Sequence, residues 1–396
     1  MTPVPRLQPF SGPAILSYGF RPFFLLGALY AAVTVLMWLP VYEGRIALDG
    51  VFTPTDWHAH ELLFGYVAAV VTAFLLTAIP NWTGRLPLNG WPLLMLVLVW
   101  VAGRLAVAAG GLLGWGLVAL IDASFLVLVI AVTGREVVAG KNWRNLRVLV
   151  VLAVFAIANV VFHVEAHRWG GALLGRRLAV AAVLMLIVLI GGRIVPSFTR
   201  NWLVRENPGR LPAAFGRFDA ISIVVTVLAL AAWLAAPGSA VAGALLIAAG
   251  LLHAVRLVRW AGWRALRDPL VWVLHAGYAF VPLGFLLTGA AAFFPLAIAE
   301  SAGIHAWTVG AFGVTTLAVM TRATRGHTGH PLIAPPATLA VYLAVIAAAL
   351  LRIAAGLWPE TGMLLLWLAA IAWGGAFLGF CAAYLPMLAR PRRGGA

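Results

Sequence analysis

Nine histidines lie in or beside long apolar segments of the 396-residue sequence, and imidazole is a common metal ligand. An ionisable residue in a membrane span is costly, so each of these histidines is a candidate functional residue. By depth they form two groups that several helical turns separate, so one metal ion could not bind members of both. The outer group comprises His58, His60, His163, His167 and His305, and the inner group comprises His253, His275, His327 and His330.

The densest outer cluster is the segment Trp57-His58-Ala59-His60-Glu61. His58 and Glu61 are three residues apart and share one face of a helix, whereas His60 points away from His58. One metal ion therefore cannot easily take both histidines, although they could serve neighbouring sites. Metal ligation is favoured over the alternative, a polar helix cap at the membrane surface. Glu61 is the candidate proton-relay or metal-adjacent carboxylate.

Two further pairs of histidines could act together, one pair because of its spacing on a helix and the other because of its depth in the membrane. His163 and His167 have the i, i+4 spacing of metal ligands on one helix face, although a solvated turn at a helix end would look the same. His253 and His275 each lie roughly 9 Å inside the cytoplasmic ends of adjacent predicted helices. They could share a cofactor, or they could be hydrogen-bonded within the protein.

Arg104 and Asp122 have a simpler expected role. They flank a short turn near residues 109–112 at similar distances, so they should meet at one depth in a helical hairpin. A lone charge at that depth would be expensive. The sequence therefore predicts a buried structural ion pair.

The elements that position these residues are membrane helices. The sequence is 63% hydrophobic and 10% charged, and its apolar runs of about 20 residues are long enough to cross a bilayer. We predict an all-α polytopic membrane protein of about twelve transmembrane helices. They lie near residues 20–39, 57–79, 92–109, 112–132, 147–167, 172–194, 218–236, 241–259, 269–290, 303–321, 336–357 and 362–386. Pro40, Pro80, Pro92, Pro269 and Pro336 are expected near helix ends. The single cysteine, Cys381, excludes an internal disulfide.

The basic residues predict the orientation. With the N-terminus in the cytoplasm, 21 of the 27 Lys and Arg residues, Arg6 among them, fall on the inner side and 6 on the outer side. Both termini are therefore expected inside, as short tails over 1–16 and 388–396 of a single membrane domain, 1–396. The formal charge of +15 follows from this topology and from contact with anionic lipid, so nucleic-acid binding is not expected.

The ends of the second, sixth and tenth helices are similar, at separations near 120 residues. The similar segments are Ile79 to Thr83, Val195 to Thr199 and Val319 to Arg322. This recurrence would fit three units of four helices, and chance similarity of interface-rich sequence is the alternative.

Short motifs occur in order between about residues 19 and 332. They are Gly19-Phe20-Arg21-Pro22-Phe23-Phe24, Trp57-His58-Ala59-His60-Glu61, Asn81-Trp82-Thr83-Gly84-Arg85, Gly191-Gly192-Arg193-Ile194-Val195-Pro196, His275-Ala276-Gly277-Tyr278 and the stretch from Val319 to Gly329. Together they resemble the NnrS family. His330 stands where the family pattern has arginine, which weakens a ligand role for it.

The resemblance implies a multi-pass protein of the bacterial inner membrane that binds b-type haem and copper and acts on nitric oxide. For these cofactors we assign two sets of ligands from the depth and spacing of the histidines, with Glu61 as the catalytic carboxylate. The haem set is His58, His60, His305, His275 and His253, and the copper set is His163 and His167. The outer redox centre is expected to include His58, His60 and His305.

The expected activity is reduction of nitric oxide to nitrous oxide, with electrons from quinol or a separate donor. One alternative is a transporter of copper, haem or a metal–nitrosyl species, and another is a non-catalytic protein that binds or senses nitric oxide. The presence of 7 methionines and 1 cysteine argues against a copper-transport relay. Turnover with a stably bound haem would favour the enzyme, and substrate flux without redox change would favour the carrier.

Overall fold

The computed structural model describes residues 10–393, and within this range twelve helices are long and apolar enough to cross a membrane. The prediction of an all-helical membrane protein with about twelve spans is thus confirmed. We label the spans α1 to α12 in chain order. They are Phe20–Tyr42, Pro54–Thr83, Gly90–Ala108, Trp115–Ala139, Trp143–Trp169, Leu173–Glu206, Arg217–Ala235, Ala240–Arg259, Pro269–Phe293, Glu300–His327, Pro336–Leu357 and Pro359–Ala389.

Several helix ends differ from the sequence-based expectation. Pro40 and Pro80 lie inside α1 and α2 instead of ending them. Each proline stands in the last turn or two of its helix, where it removes a single amide donor and the following residues still complete the turn. The α10 helix also continues through His327, which was expected in a loop.

The orientation of the termini stays a prediction. Residue Arg6, which was counted on the inner side, and much of the expected tail over 1–16 lie outside the described residues, as do residues 394–396. The described part of the C-terminal tail follows α12, which ends at Ala389.

The chain divides into two compact units, whereas the recurrence in the sequence suggested three. The first unit comprises Met1–Ala182 with Thr324–His330 and Phe380–Ala396, and the second comprises Val183–Ala323 and Pro331–Gly379. The first unit therefore contains α1 to α5 complete. The expectation of a single membrane domain over 1–396 stays a prediction.

In the described part of the chain, three spans contain π-helical segments, and they are the second, sixth and tenth. The segments are Glu61–Val67 in α2, Ile187–Gly191 in α6 and Ala306–Val314 in α10. These are the helices whose ends are similar in sequence, so the recurrence extends to backbone geometry. Because π-helical turns are often found at functional sites, the one that starts at Glu61 directs attention to the start of α2.

The N-terminal motif has a structural explanation within the first unit. The Arg21 guanidinium donates to the carbonyl oxygens of Leu388 at 2.8 Å and Arg390 at 2.7 Å. These carbonyls lie at the end of α12, where a helix has no amide partners of its own. Arg21 therefore caps the last span.

Candidate metal centre

Spans α2 to α5 of the first unit bring a set of polar side chains together. The start of α2 is fixed by Thr53, whose hydroxyl accepts from the Asp56 amide at 3.2 Å. Between α3 and α4 the chain reverses at Gly114, whose φ of 76° few other residues tolerate. This reversal places Arg104 and Asp122 at the same depth.

Glu61 is held from three sides. The ring nitrogen Nδ1 of His60 lies 2.7 Å from Glu61 Oε1, and the Arg104 guanidinium donates to the same oxygen at 2.7 Å. The Tyr30 hydroxyl donates to the other oxygen, Oε2. Glu61 and His60 are fully buried. Because the carboxylate only accepts, Nδ1 of His60 is the protonated nitrogen and Nε2 carries the lone pair.

Asp122 is the second hub of the cluster. Arg104 donates to its Oδ1, and Asn159 donates to its Oδ2 at 2.8 Å. The Nε2 atoms of His163 and His60 lie 3.0 Å and 3.1 Å from the same Oδ2. Arg104 thus bridges two carboxylates, Glu61 and Asp122, where the sequence predicted a simple pair.

His60, Asp122 and His163 form a candidate metal-ligand group. One ligand atom of each lies within 4.8 Å of the others, and all three residues are buried. Two imidazoles and a carboxylate are ligands that copper and non-haem iron both accept.

Some buried polar atoms of this cluster have no hydrogen-bond partner among the described residues. They are His60 Nε2, His163 Nδ1, Asn159 Oδ1 and Arg104 Nε. The His60 Nε2 contact with Asp122 is close but lacks hydrogen-bond geometry. Buried polar atoms are rarely left unsatisfied, and a bound ion is one explanation when they are.

The charge of the cluster also favours a cation. Glu61 and Asp122 contribute two negative charges, and Arg104 contributes one positive charge. With neutral histidines the buried cluster carries a net charge of about −1, which is unfavourable in a low-dielectric interior. A metal cation bound between His60, Asp122 and His163 would offset this charge.

The other outer histidines of the first unit lie elsewhere. His58 is half-buried, and its ring stacks on Trp38 with the ring centroids 4.1 Å apart. His167 is exposed and stacks on Trp115 at 4.2 Å. The structure therefore does not bring His167 to the cluster that contains His163, although the two are one turn apart.

In the second unit, both ring nitrogens of His253 are engaged. Its Nε2 lies 2.8 Å from Thr226 Oγ1, and its Nδ1 lies 2.9 Å from the Tyr278 hydroxyl. Thr226 donates its only proton to the Ser222 carbonyl, so His253 Nε2 must be the donor to Thr226. Tyr278, which accepts from Arg256 at 3.0 Å, then donates to His253 Nδ1. No lone pair of His253 remains for a metal.

His275 and His305 also lie in the second unit, and His275 keeps a ligand nitrogen. His275 Nε2 lies 2.7 Å from Thr199 Oγ1, whose proton goes to the Val195 carbonyl, so Nδ1 of His275 carries the lone pair. His305 Nδ1 donates to the Ser301 carbonyl at 2.7 Å, which makes Nε2 its lone-pair nitrogen. His253 and His275 therefore form hydrogen bonds with different partners.

Two residues of the cluster were not singled out in the sequence. Asn159 lies one helical turn before His163, and this i, i+4 spacing was a usable signal. Tyr30 lies in the middle of the largely apolar span α1, and only the fold brings it to Glu61.

The fold and the cluster define a polytopic helical membrane protein with a buried group of metal-ligand side chains. The sequence model of the family described as NnrS protein matches residues 14–392, nearly the whole chain. The chain belongs to the NnrS family, and this membership links it to nitric oxide-related function. Among curated proteins, a search finds no match.

Proposed function

We propose that this chain is a copper-dependent membrane protein that reduces nitric oxide to nitrous oxide. The family supports the link to nitric oxide, and the cluster around His60, Asp122 and His163 supports a bound metal. The observation that carries the proposal is the set of ligand atoms within 4.8 Å of one another, beside buried polar atoms that lack partners.

Copper fits the donors that are present. Imidazole suits copper, and a carboxylate completes a nitrogen and oxygen ligand set. When bound, the metal would bind nitric oxide and pass electrons to it. Iron accepts the same ligands, so the metal content of the purified protein decides between the two.

The surrounding residues would fix the ligands. Glu61 accepts the Nδ1 proton of His60 and so points the lone pair of Nε2 toward Asp122 and His163. Such carboxylate–histidine pairs commonly orient metal ligands. Asn159 and Arg104 hold Asp122 in the same way, by donating to its two oxygens. Arg104 also donates to both buried carboxylates and so offsets part of their negative charge.

The reaction joins two molecules of nitric oxide with two electrons and two protons to give nitrous oxide and water. The protons must reach a fully buried cluster. Tyr30 is half-buried and donates to Glu61, so the pair offers a proton route toward the cluster. The electrons would come from membrane quinol or a separate donor.

Haem fits the described residues less well than copper does. Of the histidines assigned to haem, His253 has both nitrogens hydrogen-bonded, and the lone-pair nitrogen of His60, Nε2, faces the Asp122 carboxylate, which suits a metal ion bound between the two. A haem ligated by the remaining residues, His58, His275 or His305, stays a prediction from the resemblance. No step of the proposal depends on it.

The test is elemental analysis of the purified full chain and of variants in the cluster. We expect His60→Ala, His163→Ala and Asp122→Asn each to lower bound copper by at least tenfold at equal protein concentration, because each loses one of three ligands. His167→Ala is the matched control. It removes an exposed imidazole from the same helix as His163 and should leave copper unchanged.

Activity is measured in the same protein preparations. The assay follows the formation of nitrous oxide from nitric oxide, with a quinol as reductant. The three ligand variants should lose nitrous oxide formation, whereas His167→Ala should keep it. Full copper content in all three ligand variants would refute the site. Copper-dependent binding of nitric oxide without nitrous oxide would refute reduction and leave a binding protein.

A further inference from the structure

A cavity of about 360 Å³ opens between the end of α2 and the end of α4 in the first unit, far from the candidate metal centre. Glu136, which lines it, is fourteen residues along α4 from Asp122, or roughly 21 Å at the helical rise. The apolar wall of the cavity is formed by Leu76, Ile79, Leu88 and Val132.

The mouth of the cavity carries charged groups. Arg85 and Arg135 both donate to the carboxylate of Glu136, Arg135 through two nitrogens at 2.9 Å and 2.7 Å. The two arginine side chains are 45% and 67% exposed, so their remaining donors face outward. Two guanidinium groups and one carboxylate leave a net charge of about +1 at the mouth.

The local sequence holds Arg85 in this place. Gly84 has a φ of 73° and ends α2, and its amide donates to the Pro80 carbonyl at 3.0 Å. The left-handed turn directs the next residue, Arg85, toward α4. Asn142, which follows the end of α4, donates to the Trp82 carbonyl and so holds the backbone just before Arg85. The motif Asn81-Trp82-Thr83-Gly84-Arg85 thus builds one side of the cavity mouth.

We propose that this cavity binds an anionic phospholipid, with its phosphate on Arg85 and Arg135 and an acyl chain along the apolar wall. Guanidinium groups bind phosphate through paired hydrogen bonds, and basic pockets between membrane helices recognise anionic headgroups. The combination of a positive mouth and an apolar wall selects an amphiphile with a negative head. The end of α2 also lies on the side where most basic residues are predicted.

The test uses the full-length protein in detergent, with lipid retention followed by native mass spectrometry. Phosphatidylglycerol and phosphatidylcholine are added in equal amounts, because they share acyl chains and differ in head charge. We expect Arg85→Gln with Arg135→Gln to weaken binding of phosphatidylglycerol by about 30-fold, since each basic residue near an anionic surface contributes roughly fivefold. Binding of phosphatidylcholine should change little.

A matched control removes two other arginines. Arg144 and Arg147 are exposed and lie on the same predicted side of the membrane. Arg144→Gln with Arg147→Gln lowers the net charge equally and should leave phosphatidylglycerol binding within about twofold. An equal loss in both double variants would show general charge attraction and overturn the site.

Glu136→Gln separates lipid binding from a structural ion pair. It raises the net charge at the mouth to about +2, so phosphatidylglycerol should bind about fivefold more tightly. Unchanged or weaker binding would overturn the proposal, even if the arginine variants failed to fold. Glycerol 3-phosphate, which has the head but no acyl chain, should not displace the lipid at equal concentration. Displacement would indicate a site for a soluble phosphate instead.

Discussion

Replacing Arg104 by leucine tests whether this residue bridges two buried carboxylates. The guanidinium donates to Glu61 at 2.7 Å and to Asp122, and both carboxylates are almost completely buried. Removing one partner of a buried ion pair costs about 3–5 kcal/mol, because a charge is left without compensation. We therefore expect Arg104→Leu to lower the free energy of unfolding by at least about 3 kcal/mol.

The second substitution distinguishes a bridge from a pair. In a simple pair, Arg104→Leu with Asp122→Leu would remove both charges and recover most of the lost stability. If Arg104 bridges both carboxylates, Glu61 lacks its arginine in the double variant as well and keeps only His60 and Tyr30 as partners. We expect the double variant to recover about half of the loss, roughly 1.5–2.5 kcal/mol.

The assay is reversible unfolding of the metal-free protein in mixed detergent micelles, so that loss of a metal ligand does not enter the comparison. Arg147→Leu is the control, because it removes an exposed arginine and should change stability by less than about 0.5 kcal/mol. A cost below about 1 kcal/mol for Arg104→Leu would refute burial of the pair. Full recovery in the double variant would refute the bridge.

Two further predictions concern packing and topology. Gly65→Ala should destabilise the protein by about 1–3 kcal/mol in the same unfolding assay, because its Cβ would lie 2.7 Å from the Tyr30 ring, whereas Gly134→Ala, with nothing within 4 Å, should be neutral. Equal effects of the two substitutions would contradict the close packing. Reporter fusions should be cytoplasmic after Arg144 and periplasmic after Asp49, and the reverse result would overturn the orientation derived from the basic residues.

The sequence predicted the spans because continuous apolar runs leave few alternatives to membrane helices. It did not predict how the helices end or where they change type. Pro80 suggested an end to α2, but the helix continues to Thr83 because a proline near a helix terminus removes only one amide donor. The π-helical segments leave no trace in hydropathy, since they alter hydrogen bonding and not composition.

The sequence predicted several residues of the candidate site, but it did not predict which of them lie together. His60 and His163 were both singled out, but they are more than 100 residues apart in the chain, and only packing brings them to Asp122. Depth along a helix was a usable signal: it predicted Arg104 at the level of Asp122, and in the structure Arg104 donates to Asp122. The rotation of each helix about its axis was not available from one sequence, and it is what separates His58 and His167 from the cluster.

The π-helical segment of α2 determines which insertions and deletions the site can tolerate. Such a segment corresponds to one residue inserted into an α-helix, and here it begins directly after His60. Each helical residue turns the chain by about 100°. Deleting one residue within Glu61–Val67 would therefore be absorbed as the wide turn closes into an α-helix, whereas deleting one within the α-helical stretch Ala68–Thr83 would turn His60 by about 100° relative to the end of α2. Length variation between functional relatives should therefore be tolerated better in Glu61–Val67 than in Ala68–Thr83.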